Sequence, residues 1–90
     1  MKVIVFDPAK NEINIAKHGV DLAVAERFEF ETALIAVDDR RDYLETRDIA
    51  IGPIDGRLHV MVYTLLAKSI RVIGLRKANR REQGKYHAKA

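Results

Sequence analysis

Asp48-Ile-Ala-Ile-Gly-Pro-Ile54-Asp55-Gly56-Arg57-Leu-His-Val-Met-Val-Tyr-Thr-Leu-Leu66 is the stretch on which the fold turns. Two β-rich runs flank an Asp-Gly pair, and that pair supplies the positive φ angles a tight hairpin turn requires. Downstream, Ser69 to Arg76 reads as a further strand. It runs into a basic segment, Lys77-Ala-Asn79-Arg80-Arg81-Glu82-Gln-Gly-Lys85-Tyr86. Asn79 is a good N-cap, and Glu82 three residues later can bond back to its N–H as a capping box, so a helix is expected there. Upstream, Ala33 to Val37 reads as a strand, and the polar run Asp38 to Arg47 follows it as a loop.

The N-terminal part contributes a short strand from Lys2 to Phe6. Asp7-Pro8 then gives a cap followed by proline in the first turn, opening a helix that runs to about His18 and is closed by Gly19. Ala9, Ile13 and Ala16 are its expected inner stripe. Asp21 caps a second short helix to about Glu29, with Leu22, Ala25 and Phe28 facing inward. The expected fold class is α+β: a small, mostly antiparallel sheet, two N-terminal helices packed on one face, and a basic C-terminal helix. Strand alternation puts Arg71, Ile73 and Leu75 on one face and Val72, Gly74 and Arg76 on the other. It also turns Leu58, Val60 and Val62 toward the helices and His59, Met61 and Tyr63 away. Gly74 beside Arg76 fits either close approach of a ligand to the sheet or a bend or bulge.

Charge is distributed unevenly. The chain of 90 residues carries a net +3, yet residues 57–90 hold nine Lys/Arg against the single acid Glu82, a net of +8. Residues 1–56 hold seven bases and twelve acids, a net of −5. A basic region of that density is the footprint of a nucleic-acid binder. Arg80 and Arg81 stand in the first turn of the last helix, where the helix dipole disfavours cations, so they mark a candidate anion site or two solvated side chains. With no cysteine among the 90 residues, disulfides and Cys-based zinc sites are excluded and a reducing, cytoplasmic location is expected. The start lacks the apolar core of a signal peptide, and the longest apolar run, Val60 to Ala67, is too short to span a bilayer. No membrane association, no cofactor and no metal are expected. The acidic group Asp38, Asp39, Asp42 and Glu45 reads better as a solvated loop than as a Mg²⁺ site.

Four blocks, in order along the chain, resemble the BrnT family of bacterial toxins, the toxin half of BrnT–BrnA type II toxin–antitoxin systems. They are Phe6-Asp7-Pro8-Ala9-Lys10 with Asn14 and Lys17-His18-Gly19-Val20; Glu45-Thr-Arg47 with Ile51-Gly52; Gly56-Arg57-Leu58 with Val62-Tyr63-Thr64; and Arg71-Val-Ile-Gly-Leu-Arg76-Lys-Ala78 with Glu82 and Tyr86. Phe6 stands where the family usually has tryptophan, Gly74-Leu75 replaces a commoner Ser-Ala, and Gly84 weakens the last helix. The resemblance implies one toxin domain over residues 1–90, a RelE-like fold and metal-independent RNA cleavage. It further implies inhibition by a BrnA-like antitoxin, binding of operator DNA only through that complex, and assembly as a homodimer or as a heterotetramer with the antitoxin.

Metal-free cleavage through the 2′-hydroxyl needs positive charge around the developing phosphorane, and bidentate arginine suits it. Arg76 and Arg80 are the first candidates, one ending a strand and the other opening the next helix. Arg47 is a third, with an ion pair to Glu45 as its alternative; Glu82 is a candidate base, with capping as its alternative. Lys17, His18, Arg71, Lys77 and Arg81 are candidate RNA contacts. His18, His59 and His87 are weighed as acid or base, and the residues do not choose among them. A second reading stays open, a non-enzymatic basic module whose arginines only bind phosphates of nucleic acid or a partner surface.

Overall fold

The computed structural model of the chain describes residues 2–38 and 45–89. Strands β1 (Val3–Val5), β2 (Leu34–Val37), β3 (Asp48–Ile54), β4 (Arg57–Leu65) and β5 (Ser69–Lys77) form one sheet in the order β1-β5-β4-β3-β2. The β3–β4 hairpin is the expected one. Asp55 (φ 50°) and Gly56 (φ 81°) both take left-handed backbone, and Ile54 pairs with Arg57 across the turn. All neighbours are antiparallel except β1, which runs parallel to β5 through Val3–Ser69, Ile4–Ile70 and Val5–Arg71.

Helix α1 (Pro8–His18) has the predicted ends. The Asp7 carboxylate accepts from the Ala9 N–H at 2.9 Å, and left-handed Gly19 donates its N–H to the Ile15 carbonyl at 2.8 Å. Its docking face differs from the expected stripe. Ala9, Ile13 and Ala16 are exposed, Ile13 by 65%, and the buried residue is Asn14. The Asn14 amide donates to the Val20 and Leu75 carbonyls, both at 2.8 Å, and accepts the Leu75 N–H at 3.2 Å. Asn11, one turn earlier, accepts the Leu22 N–H at 2.8 Å. Backbone groups of β5 lie in the plane of the sheet, so α1 is fastened at the sheet edge and not spread over a face. That corrects the expectation of two helices on one face.

The second expected helix is a 3₁₀ helix, Leu22–Arg27, followed by another short one, Phe30–Thr32. The reason lies in the spacing. Leu22, Ala25 and Phe28 recur every third residue, and a 3₁₀ helix puts such positions directly above one another. All three are buried as expected. They pack on Ala50, Ile54, Met61, Tyr63, Val72 and Leu75 to make the core. Phe30 joins Phe28 and Tyr63 edge-to-face, with ring centroids at 4.9 and 5.7 Å. The faces of β4 are therefore the reverse of the alternation assigned from sequence: Met61 and Tyr63 point into the core, and Leu58, Val60 and Val62 point away. Tyr63 accords with this, because on the core face it meets Phe30 edge-to-face.

Asn14→Asp retains size but sets a carboxylate against two carbonyls. The variant should lose roughly 3 kcal/mol, the scale of leaving two buried groups unpaired, and its Tm in a thermal melt should fall by more than about 10 °C. Gly52 admits no side chain, since a Cβ there would lie 2.7 Å from Phe28 Cζ and 3.0 Å from Ala33 Cβ. Gly52→Ala should cost roughly 1–3 kcal/mol by the same assay, and much of the loss should return when Phe28→Leu makes room.

Candidate nucleic-acid interface

The sheet face turned away from the core carries the candidate site. On β4, Val60, Val62 and Thr64 lie opposite Arg76, Gly74 and Arg71 of β5. Ile51 and Ile49 of β3 flank Val60 and Val62 on the other side. Strict alternation would separate Arg71 from Arg76. The register instead shifts between Val62 and Tyr63, leaving Ile73 as an extra residue, and this bulge brings Arg71, Gly74 and Arg76 to one face while Val72 and Leu75 both enter the core. The face assignment of Val72, Ile73 and Leu75 made from sequence is corrected accordingly, and the bulge expected as one reading of Gly74 is present beside it.

Lys17 and His18, in the last turn of α1, reach this face because Asn14 fixes the helix against Leu75. With Arg76, Gly74, Leu75, Ile49, Val60 and Val62 they line a groove of about 310 Å³. Partial burial, then the charges of Lys17 and Arg76, push the His18 pKa below its usual 6.5. The imidazole is thus neutral at pH 7 and can accept a proton.

Arg76 makes a two-pronged ion pair with Glu82, Nη1 to Oε1 and Nη2 to Oε2, both at 2.7 Å. Glu82 stands in the first turn of helix α2 (Arg80–Lys89) and completes the predicted capping box. Its Oε1 accepts the Asn79 N–H at 2.9 Å, and its own N–H donates to Asn79 Oδ1 at 2.8 Å. The hydrogen bonds from Arg76 outweigh burial and hold the Glu82 carboxyl below its ordinary 4.5, so it stays ionised. Arg80 and Arg81 are exposed on the same first turn, and Lys77 is exposed at the end of β5.

The remaining candidates gather elsewhere. Arg71 Nη2 bonds Glu45 Oε2, and Arg47 Nε lies 3.9 Å from Glu45 Oε1. Arg47 therefore meets the ion pair foreseen as its alternative. His59 is buried with Nδ1 2.7 Å from the Arg57 carbonyl, away from the groove, and His87 lies edge-on to Tyr86 on α2. Asp39 and Asp42 of the acidic run lie outside the described residues. Among the described residues no group of three His, Cys, Asp or Glu could hold a metal ion, and no helix is long and apolar enough to cross a membrane. The sequence reading missed Ile49 and Val62 as the groove's floor. The available signal was the second apolar set on β4, which a sheet covered on only one face would not need.

A small α+β chain with a cationic groove suits enzymes that act on nucleic acid, and comparison gives the class. Residues 6–82 match the family of ribonuclease toxins of type II toxin–antitoxin systems, and the chain belongs to it. That family is BrnT. Among solved structures, the chain is similar to the ribonuclease toxin BrnT of Brucella abortus, with a TM-score of 0.69 and 27% identity over 89% of this chain and 100% of that one. No curated protein sequence gives a significant match.

Helix α2 fully buries none of its residues; the Arg76–Glu82 pair, the cap, the Gln83 bond to the Ala78 carbonyl and contact with β3 attach it. Amides from Arg80 to Tyr86 should exchange with deuterium faster than those of β4. A depressed folded pKa means the Glu82 contribution is complete above about pH 4.5 and is lost as pH falls through the lower folded value. Glu82→Gln should accelerate exchange in α2 at pH 6 and remove that acid dependence, while exchange in β4 stays unchanged.

Proposed function

We propose that this chain is a metal-independent endoribonuclease with a RelE-like fold, acting in the cytoplasm as the toxin of a type II module and neutralised by a BrnA-like antitoxin. Operator DNA would be bound only through the toxin–antitoxin complex. The observation that carries the reading is the convergence of Arg76, Lys17 and neutral His18 on one groove from residues far apart in sequence. The 2′-oxygen bonds to phosphorus as the bond from phosphorus to the 5′-oxygen breaks. Arg76 stabilises the charge that builds on the phosphorane, and Lys17 holds the incoming phosphate. His18 takes the proton of the 2′-hydroxyl, and water returns one to the 5′-oxygen. Glu82 orients Arg76 rather than acting as the base, since its carboxylate is already committed to that guanidinium and to the Asn79 N–H. Arg80 and Arg81, exposed on the turn that carries Glu82, would contact neighbouring phosphates, and Arg71, on the same sheet face as Arg76, one further along with Arg47 beside it; Lys77, paired with His59, turns to the other face and drops out.

The non-enzymatic reading draws support from the same ion pair, because it gives Arg76 a structural task without chemistry. The two separate in a digest of structured RNA in EDTA, with products mapped at both ends. The enzyme should leave cyclic-phosphate and 5′-hydroxyl ends, and Arg76→Ala should slow it at least a hundredfold, the scale of losing one such stabilising group, with RNA affinity only modestly weaker. Intact RNA with salt-sensitive binding retained would favour the binding module. In the enzyme the rate should fall with acidification below an apparent pKa under 6.5, where His18 gains its proton, and His18→Gln should lower the rate and abolish that limb.

A further inference from the structure

Phosphate binding alone needs cations, and the groove contains more than cations. Between Lys17 and Arg76 its floor is made of Ile49 and Val62, β-branched side chains turned away from the core; Val60 borders it too but is only 2% exposed. Ile49 and Val62 are half-buried, so part of their apolar surface faces the groove. Beside Val62 the floor drops at Gly74. A Cβ built there would come no nearer than 4.0 Å to any neighbour, that neighbour being Asn14 Oδ1, so the space above Gly74 belongs to the groove and not to packing.

We propose that this floor is a subsite for an unpaired nucleobase, whose flanking phosphates Arg76 and Lys17 hold, and that the substrate is therefore single-stranded RNA. The proposal rests on the ribonuclease reading and deepens it. Apolar side chains accept the face of an unstacked base, as they do wherever a base is taken out of its stack. In duplex RNA those faces are occupied by neighbouring bases, and only edges, sugars and phosphates are presented. The floor offers no side-chain donor or acceptor to a base edge. The nearest amide, that of Asn14, is committed to Val20 and Leu75. Selection at this position therefore follows stacking area, purine over pyrimidine, and not a hydrogen-bond code.

The test is fluorescence anisotropy at fixed salt with two labelled oligonucleotides of equal length and charge, both 2′-O-methylated to block cleavage. One carries adenine throughout and the other is abasic throughout. Wild type should bind the adenine strand at least roughly fivefold tighter, the low end of what one stacked base contributes. Gly74→Leu fills the space and should bring the ratio of adenine to abasic affinity to about one. Equal affinities in wild type, or a preference that survives Gly74→Leu, would overturn the proposal. Circular dichroism checks the variant's fold, and should it fail, the wild-type comparison decides alone. Cleavage is scored separately. A base preference without cleavage removes the enzyme and keeps the subsite, whereas cleavage without a base preference removes the subsite only.

Discussion

The Asn14 amide does the work of a missing strand. β1 ends after three residues and pairs with β5 only as far as Arg71, yet the N–H and C=O of Leu75 still need partners. One primary amide supplies both an acceptor and a donor there, with a second donor bond to Val20. Buried amides left unpaired are costly, so this contact sets both the rotation and the height of α1. The rest of the groove follows, since Lys17 and His18 reach Val62 and Gly74 only from a helix held in that one position. The same constraint frees the opposite face of α1, where Ile13 stands in water.

Polar contacts also fasten the other end of the groove. Arg76 joins the sheet to α2 through a carboxylate that simultaneously caps the helix. That helix fully buries no residue, so the pair adds to what its half-buried Tyr86 and its contact with β3 supply. On the proposed function, the guanidinium assigned to phosphate is therefore also part of the scaffold, oriented by Glu82. Such preorganisation is where much of the catalytic effect of fixed charges originates.

Local signals in the sequence were legible. The Asp55-Gly56 turn, the Asp7-Pro8 start and Gly19 end of α1, and the Asn79–Glu82 box each depend on residues within a few positions of one another. Faces were not. On α1, periodicity of apolar residues picks out Ala9, Ile13 and Ala16, whereas the helix docks through Asn11 and Asn14, which such a pattern scores as solvent-facing. On β4 both alternating sets are apolar, so the choice between Val60 with Val62 and Met61 with Tyr63 depends on Phe28 and Phe30, far away in the chain. The extra residue at Ile73 leaves no mark in the pattern, and without it Arg71 and Arg76 fall on opposite sides. The cationic character of the site was readable from charge alone. Its apolar floor depended on all three of these undetermined choices.

The means by which α1 is attached has a thermal consequence. Contacts made by burying apolar surface weaken on cooling and carry a large heat-capacity change. The Asn11 and Asn14 contacts bury little hydrocarbon and much hydrogen bonding, and they lack that signature. The edge of the sheet that carries Lys17 and His18 is thus held by hydrogen bonds, whereas the Phe28, Met61 and Tyr63 layer depends on apolar burial. As temperature falls, the polar attachment of α1 loses less of its strength than apolar packing does.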